Sequence, residues 1–270
     1  MQMIDFSIHT YKSFLNSLCD ADYTFHSFMD YLKNNTLETQ LFIILRHDVD
    51  RLPQNALKMA QLEGELGICS TYYFRIVPKS FDDDVIYRIS NLGHEIGYHY
   101  EDIDLVIKRA KRNRQKIKDE DELIDLAMES FLENLEKLRK IYPVKTICMH
   151  GSPLSKYDNR LLWEKYNYRD HGIIGEPYFD IDFNEVLYLT DTGRRWNAGE
   201  VSIRDKVESN FSYNFKSTFD IMENMDQLPP KIIINIHPQR WHDQTLPWVK
   251  ELLGQNIKNA GKYLLSKYRS

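Results

Sequence analysis

The chain has 270 residues, 42% hydrophobic and 28% charged, with a formal net charge of −5 at pH 7. That size and mix suit a globular unit whose core needs no disulfide or metal staple. The acidic balance argues against general nucleic-acid binding, and no run approaches the roughly 20 apolar residues of a membrane span. The opening Met1-Gln-Met-Ile-Asp-Phe-Ser7 has neither the basic nor the apolar stretch of a signal peptide. Cys19, Cys69 and Cys148 stand far apart in apolar surroundings and read as buried free thiols, which favours a reducing, cytoplasmic location.

Residues 8–34 place Phe14, Leu15, Leu18, Phe25, Phe28, Met29 and Leu32 at three- and four-residue steps, which predicts a mostly helical extension with a stop at Asn34-Asn35. Leu41-Phe-Ile-Ile-Leu-Arg-His-Asp-Val-Asp50 follows, a core strand over 41–47 that runs into charge. Strand period puts Arg46, Asp48 and Asp50 on one side, His47 and Val49 on the other. Two carboxylates together at a strand end are costly unless something cationic holds them: a divalent metal, Arg46 or a substrate. A capping Asp with a salt bridge to Arg46 would explain the cluster as well.

Pro53 opens a helix through Leu66, closed by Gly67. Ile68–Ile76 reads as a strand, Phe81–Leu92 as a helix stopped by Gly93, and Glu95–His99 as a third strand. Lys108–Lys118 is densely basic, and the acids Asp119–Glu122 come next. The run is either a solvated, salt-bridged surface or a basic lip for an anionic sugar or lipid head group. Leu123–Ile141 is helical, with Ile124, Ala127, Met128, Phe131, Leu135 and Leu138 on one face and Tyr142-Pro143 at its end. Val144–Met149 is a strand that closes on His150-Gly-Ser-Pro153, and a helix is expected over Lys156–Tyr166. Residues 167–182 give no clear element. Val186–Thr190 is a strand ending in Asp191-Thr-Gly-Arg-Arg-Trp196, residues 197–216 are loop-like, and Ser217–Met225 is a helix. Ile232–Ile236 is the last strand, ending in His237, and Leu246–Ser266 is the closing helix. This alternation predicts a parallel sheet, and polar residues at successive strand ends predict a barrel with its site at the carboxyl face.

Three stretches, Arg46-His-Asp-Val-Asp50, Gly93-His-Glu-Ile-Gly-Tyr-His99 and Ile236-His237-Pro238, in this order and spacing, resemble the motifs of the polysaccharide deacetylase family, the NodB-like enzymes of carbohydrate esterase family 4. The opening motif is most similar to the Asp-Val-Asp variant of the aminoarabinose-lipid deformylases. The resemblance covers most of residues 41–240. It implies an α/β fold, a distorted (β/α)7-type barrel with an N-terminal helical extension. The chain then reads as one domain over 1–270: extension 1–40, motif-bearing core 41–240 and C-terminal helix 241–270.

The function this resemblance implies is metal-dependent removal of an N-acyl group, acetyl above all, from a sugar of a polysaccharide or glycolipid precursor, with zinc as the divalent metal. Carried over, Asp48 is the base and Asp50 a metal ligand, though the two roles are open to exchange. His99 is a second ligand. The family's next ligand would fall at 103, where this chain has Ile103. His150 is the first choice to replace it, since it ends a core strand; lining the pocket is its other role, and Glu101 or Asp102 could also reach. His94 precedes the ligand pair and is structural in the family, with a ligand role as the alternative. His237 is the general acid. Arg46, Ser152, Asp191, Arg194, Trp196 and Trp241 are the substrate-binding candidates. Asp191 and Arg194 fall where the family carries an aspartate-tryptophan motif that orients the catalytic histidine; a hairpin loop would explain Thr190–Arg194 too. Trp196 could stack on a sugar face, and Gln239-Arg240-Trp241-His242 would rim the pocket. Ile103 also motivates another class, a sugar-binding or structural protein that keeps the barrel without the chemistry. A hydrolase of a non-sugar amide is a third. The oligomeric state is not legible.

Overall fold

The computed structural model describes residues 4–33, 41–152, 155–196, 205 and 207–269, with side chains as far as residue 261. The expected stop at Asn34-Asn35 and the expected loop at 197–204 lie outside the described residues. In chain order the elements are α1 (Ile8–Asp20), β1 (Thr24–His26), α2 (Phe28–Lys33), β2 (Phe42–Val49), α3 (Pro53–Glu65), β3 (Thr71–Phe74), α4 (Asp83–Asn91), β4 (Glu95–Tyr100), α5 (Asp102–Asn113), α6 (Glu120–Arg139), β5 (Ile147–Met149), α7 (Leu162–Lys165), α8 (Pro177–Asp180), β6 (Leu187–Thr190), α9 (Thr218–Glu223), β7 (Lys231–Ile236) and α10 (Thr245–Arg269).

All strand pairs are parallel, in the order β5-β4-β3-β2-β7-β6, with β1 added beside β2. The sheet is curled into a half-barrel. From β2, Arg46 reaches across the interior to Cys148 Sγ of β5 at 2.6 Å and to the Tyr188 hydroxyl of β6 at 3.1 Å, the two ends of the strand path. Every residue of β2 is buried, as its apolar run requires. Phe42 and Ile44 face inward with Tyr73 and Ile233, while Ile43 and Leu45 pack outward under Tyr11, Phe14 and Met59. This alternation carries Arg46 and Asp48 inward and His47 outward.

Three expectations change. The helical extension is split: α1 stops at Asp20, and Thr24–His26 pair with Phe42–Ile44 of β2. The reason is a vacant edge. β3 pairs only with Arg46–Val49, so the first half of β2 needs another partner for its backbone groups. The second change is α5, a helix where only a charge run was read. Its Ile103, Val106 and Ala110 are buried, with Lys108, Arg109, Lys111 and Arg112 on the exposed side. The helix expected over Lys156–Tyr166 shrinks to a 3-10 turn and α7.

Outside the sheet, Glu63 of α3 forms a buried hub. It accepts from the hydroxyls of Tyr11 (2.6 Å), Ser70 (2.6 Å) and Tyr72 (3.0 Å), and lies 2.9 Å from His47 Nε2. Burial would raise the carboxyl, but His47, His94 and Ser70 more than offset it and hold it at about 2, below its ordinary 4.5. Its share of stability is therefore complete above the unfolded value and fades as pH falls through about 2. Glu63→Gln should cost about 3 kcal/mol of unfolding free energy, because it strands a buried histidine and turns an acceptor into a donor. An unchanged urea midpoint at neutral pH would refute this. His94 belongs to the same region: it lies 2.9 Å from the Ala60 carbonyl and 3.0 Å from Ser70 Oγ, so it sits outside the barrel. Gly97 of β4 faces inward under Tyr73. A Cβ there would lie 2.3 Å from a ring carbon and 3.1 Å from the Thr146 carbonyl oxygen, so glycine is required for the close approach.

Candidate active site

The carboxyl ends of the strands converge on a cleft of ≈ 210 Å³. Asp48 and Asp50 come from the end of β2, His99 from β4, His150 from just past β5, and His237 and Gln239 from just past β7. Parallel strands end at the same face, so residues separated by much of the chain become neighbours there.

Asp50, His99 and His150 each bring a ligand atom within 4.8 Å of the others. Asp50 Oδ1 lies 3.3 Å from His150 Nε2 and 3.6 Å from His99 Nε2. The His99 Nδ1–H donates to the Cys148 carbonyl at 2.9 Å, which turns the Nε2 lone pair toward Asp50. Burial lowers His99 to about 4, against the pull of Asp48, so the ring is neutral at neutral pH and free to ligate. Burial also works to raise Asp50, yet the facing His150, His237 and His99 hold it well below the carboxylate range. Asp50 Oδ2 accepts from Gln239 Nε2 at 2.9 Å, while buried Oδ1 has no hydrogen-bond donor among the described residues. A buried carboxylate oxygen with no donor, facing two imidazoles, fits a divalent cation, and the two-nitrogen, one-oxygen set suits zinc.

Asp48, His99 and Cys148 form a second such group. Burial pushes the Cys148 thiol up, and the Arg46 guanidinium sits 2.6 Å from its sulfur. Both groups have a guanidinium nearby, but Arg75 is 4.0 Å from Asp50 Oδ1 while Arg46 contacts the Cys148 sulfur itself, so the Asp50 group is the better site. Ile103, where the family's ligand would fall, is buried in the core. Asp102 points away from the cleft and accepts from Tyr98, Ser130 and Asn134. Glu101 stands behind His150, its Oε2 3.6 Å from Nδ1 and its other oxygen held by Arg75 at 2.5 Å.

Asp48 accepts from Asn235 Nδ2 at 2.9 Å through Oδ2, and its Oδ1 has no donor among the described residues. His237 Nε2 lies 4.0 Å from Asp48 Oδ2. Its Nδ1 lies 2.6 Å from Asp191 Oδ1, to which it donates when it carries a proton, and 2.8 Å from the Arg240 guanidinium. Asp191 also accepts from Arg240 at 2.6 Å and from the Trp241 indole at 2.8 Å. Burial would raise Asp191, but Arg240 and His237 keep it below the usual range, and thus charged.

None of the six substrate-binding candidates lines the cleft. Arg46 is buried beneath Asp48, 3.6 Å from its carboxylate. Ser152 Oγ is 3.2 Å from His150 Nδ1. Asp191 and Trp241 lie behind His237. Arg194 donates to the Trp248 carbonyl and covers the Phe6 ring, and Trp196 is buried against Phe14 with its indole on Thr218. The walls come instead from Tyr178, Thr192 and Asp205, and from Glu251, Gln255 and Lys258 of α10. The sequence reading passed over Arg75, Asn235 and α10's share of the wall. Asn235 had a signal: one amide inside an otherwise apolar core strand.

No family model matches the chain, and no curated protein matches it in sequence. Solved structures similar to it are carbohydrate esterases of family 4 and a relative. A CE4 family pseudoenzyme from Bacillus anthracis is 12% identical with a TM-score of 0.42, over 82% of this chain and 62% of that one. The chain thus spans less than two thirds of that protein's length. A CE4 esterase from Streptococcus mutans is 12% identical with a TM-score of 0.43, over 86% of each chain. A family 4 carbohydrate esterase from Bacillus anthracis is 14% identical with a TM-score of 0.39, over 93% of this chain and 86% of that one.

Proposed function

We propose that this protein is a metal-dependent hydrolase that removes an N-acyl group, acetyl above all, from a sugar of a polysaccharide or glycolipid precursor. The observation that carries the reading is the convergence of Asp50, His99 and His150 on one cleft, with Asp48 and His237 beside them. The three cysteines are free, as action on a precursor in the reducing cytoplasm would require, but only Cys148 is buried as expected; Cys19 is exposed and Cys69 half-buried.

Asp50, His99 and His150 would hold the ion. When bound, a divalent ion such as zinc supplies Lewis acidity, polarising an amide carbonyl and lowering the pKa of water. Asp48 takes the proton of the attacking water on Oδ1, its carboxylate oriented by the Asn235 amide on Oδ2. The C–N bond breaks as His237 delivers a proton from Nε2 to the leaving nitrogen, giving a free amine and a carboxylic acid. Asp191 keeps the remaining ring proton on Nδ1 and balances the imidazolium charge.

Metal content tests the reading. Purified wild type should carry about one zinc-class ion per chain by elemental analysis, as a three-ligand site implies. Asp50→Ala and His99→Ala should lose it. Wild type that takes up no metal even after reconstitution would sink the hydrolase. The buried Ile103 would then favour the second reading, a sugar-binding protein that has kept the barrel.

A further inference from the structure

The basic run has no part in this chemistry, yet it is not an ordinary solvated surface. Between α5 and α6 lies a cleft of ≈ 350 Å³ lined by Lys108, Arg109, Arg112 and Lys137, beside Ile76 and Leu105. No acidic side chain lines it among the described residues. Charge runs are usually neutralised by their neighbours, but of the acids that follow this one, Asp119 and Glu122 engage only its last residue, Lys118, and Asp121 pairs outside it. Asp119 caps α6 and pairs with Lys118 at 3.5 Å, Glu122 accepts from the Lys118 backbone N–H, and Asp121 pairs with Lys165 at 3.1 Å. Lys108 pairs with Glu101 at 3.6 Å, while Arg109 and Arg112 have no ion-pair partner among the described residues. Four cations thus share one opening in a chain of net charge −5.

We propose that this cleft binds a phosphate or pyrophosphate group. Two guanidiniums and two ammoniums match the charge and the tetrahedral oxygens of such an anion. Its position gives it a use. Glu101 Oε2 is 3.6 Å from Lys108 Nζ on one side and 3.6 Å from His150 Nδ1 on the other, so one carboxylate separates the cleft from the metal-ligand cluster. A sugar phosphate long enough to pass over buried Glu101 would set its anion here and its acyl group at the cluster. That source of the anion rests on the hydrolase reading; the binding itself does not.

The test is calorimetric titration of inorganic pyrophosphate into wild type, Arg109→Ala/Arg112→Ala and Asp50→Ala. Wild type and Asp50→Ala should bind alike, and the double variant should bind about tenfold or more weakly, as loss of two charge-assisted contacts implies. No binding to wild type, or equal binding by the double variant, overturns the proposal. Loss of binding in Asp50→Ala also overturns it, because the anion would then sit on the metal. A hydrolase that proves inactive would leave these titrations intact, so the two readings fail separately. Turnover then gives the source. A double variant that raises KM for N-acetylglucosamine 1-phosphate about tenfold relative to N-acetylglucosamine means a phosphorylated substrate. An unchanged KM ratio, with pyrophosphate binding lost, means a free phosphate effector.

Discussion

Asp48→Asn should purify with the metal content of wild type and lose about two to four orders of magnitude in kcat/KM, the range a positioned general base contributes. The amide fills the same volume and its oxygen can still accept from Asn235, but it removes the charge 3.6 Å from buried Arg46, so a loss of stability is expected beside the loss of turnover. What disappears is the only function proposed for Oδ1, taking a proton. Kinetics at saturating substrate beside elemental analysis of the same preparation would decide it. Turnover near wild type would end the role of Asp48. Loss of metal would exchange the two aspartates, making Asp48 the ligand, as the alternative group with His99 and Cys148 would require.

Asp191→Asn should lower kcat by a similar factor and leave both metal content and KM near wild type. Asp191 never reaches the cleft, so it touches no substrate; it acts through His237. An amide there presents either an N–H to His237 Nδ1, which drives the ring into the wrong tautomer, or an oxygen without the charge that stabilises imidazolium. Asn rather than Ala is the informative change, since Asn still accepts from either the Arg240 guanidinium or the Trp241 indole, while Ala would strand both. A structural role alone would alter stability and leave the basic-to-acidic profile of kcat in place. The expected signature is a shifted pH profile of kcat at temperatures where the variant is still folded; its melting temperature falls as well, because the amide nitrogen meets donors on one side. Wild-type kcat in Asp191→Asn would remove His237 as the acid.

The sequence carried the site best where one strand could be read by itself. Phe42–Val49 is apolar on both faces, so its polar end stood out, and the period of two put Arg46 and Asp48 on the same side. His150 was legible because it ends a buried strand. What one strand cannot show is its neighbour. The Asn235 bond to Asp48 exists only through the β2–β7 register, which pairs Arg46 with Asn235. β1 was hidden because Phe25 fits a helical step with Phe28 and Met29, and only the free edge of β2 recruits it. α5 was hidden because its buried apolar residues, Ile103, Val106 and Ala110, lie among charges, and the half-buried Leu105 and Ile107 blur the helical period. The tryptophans fail for a different reason: an indole that could stack on a sugar and one that fills a core have the same letter. Trp196 and Trp241 are buried, at 4% and 0% exposure, and their N–H groups are spent on Thr218 and Asp191.

The β2–β7 pairing also orders the site in time. His99 lies on β4, and Asp50 and His150 directly follow β2 and β5, all well before β7 in a chain made from its N-terminus. Asn235 meets Asp48 across a separation of 187 residues, and Gln239 meets Asp50 across 189. Contacts so distant close late, after the loop entropy of the intervening chain has been overcome. On the proposed function, a growing chain would expose its ion-capturing residues well before it owns the strand that orients its base and supplies its acid. Capture of metal and competence for hydrolysis would then be separate events in the birth of this molecule, the second waiting for β7.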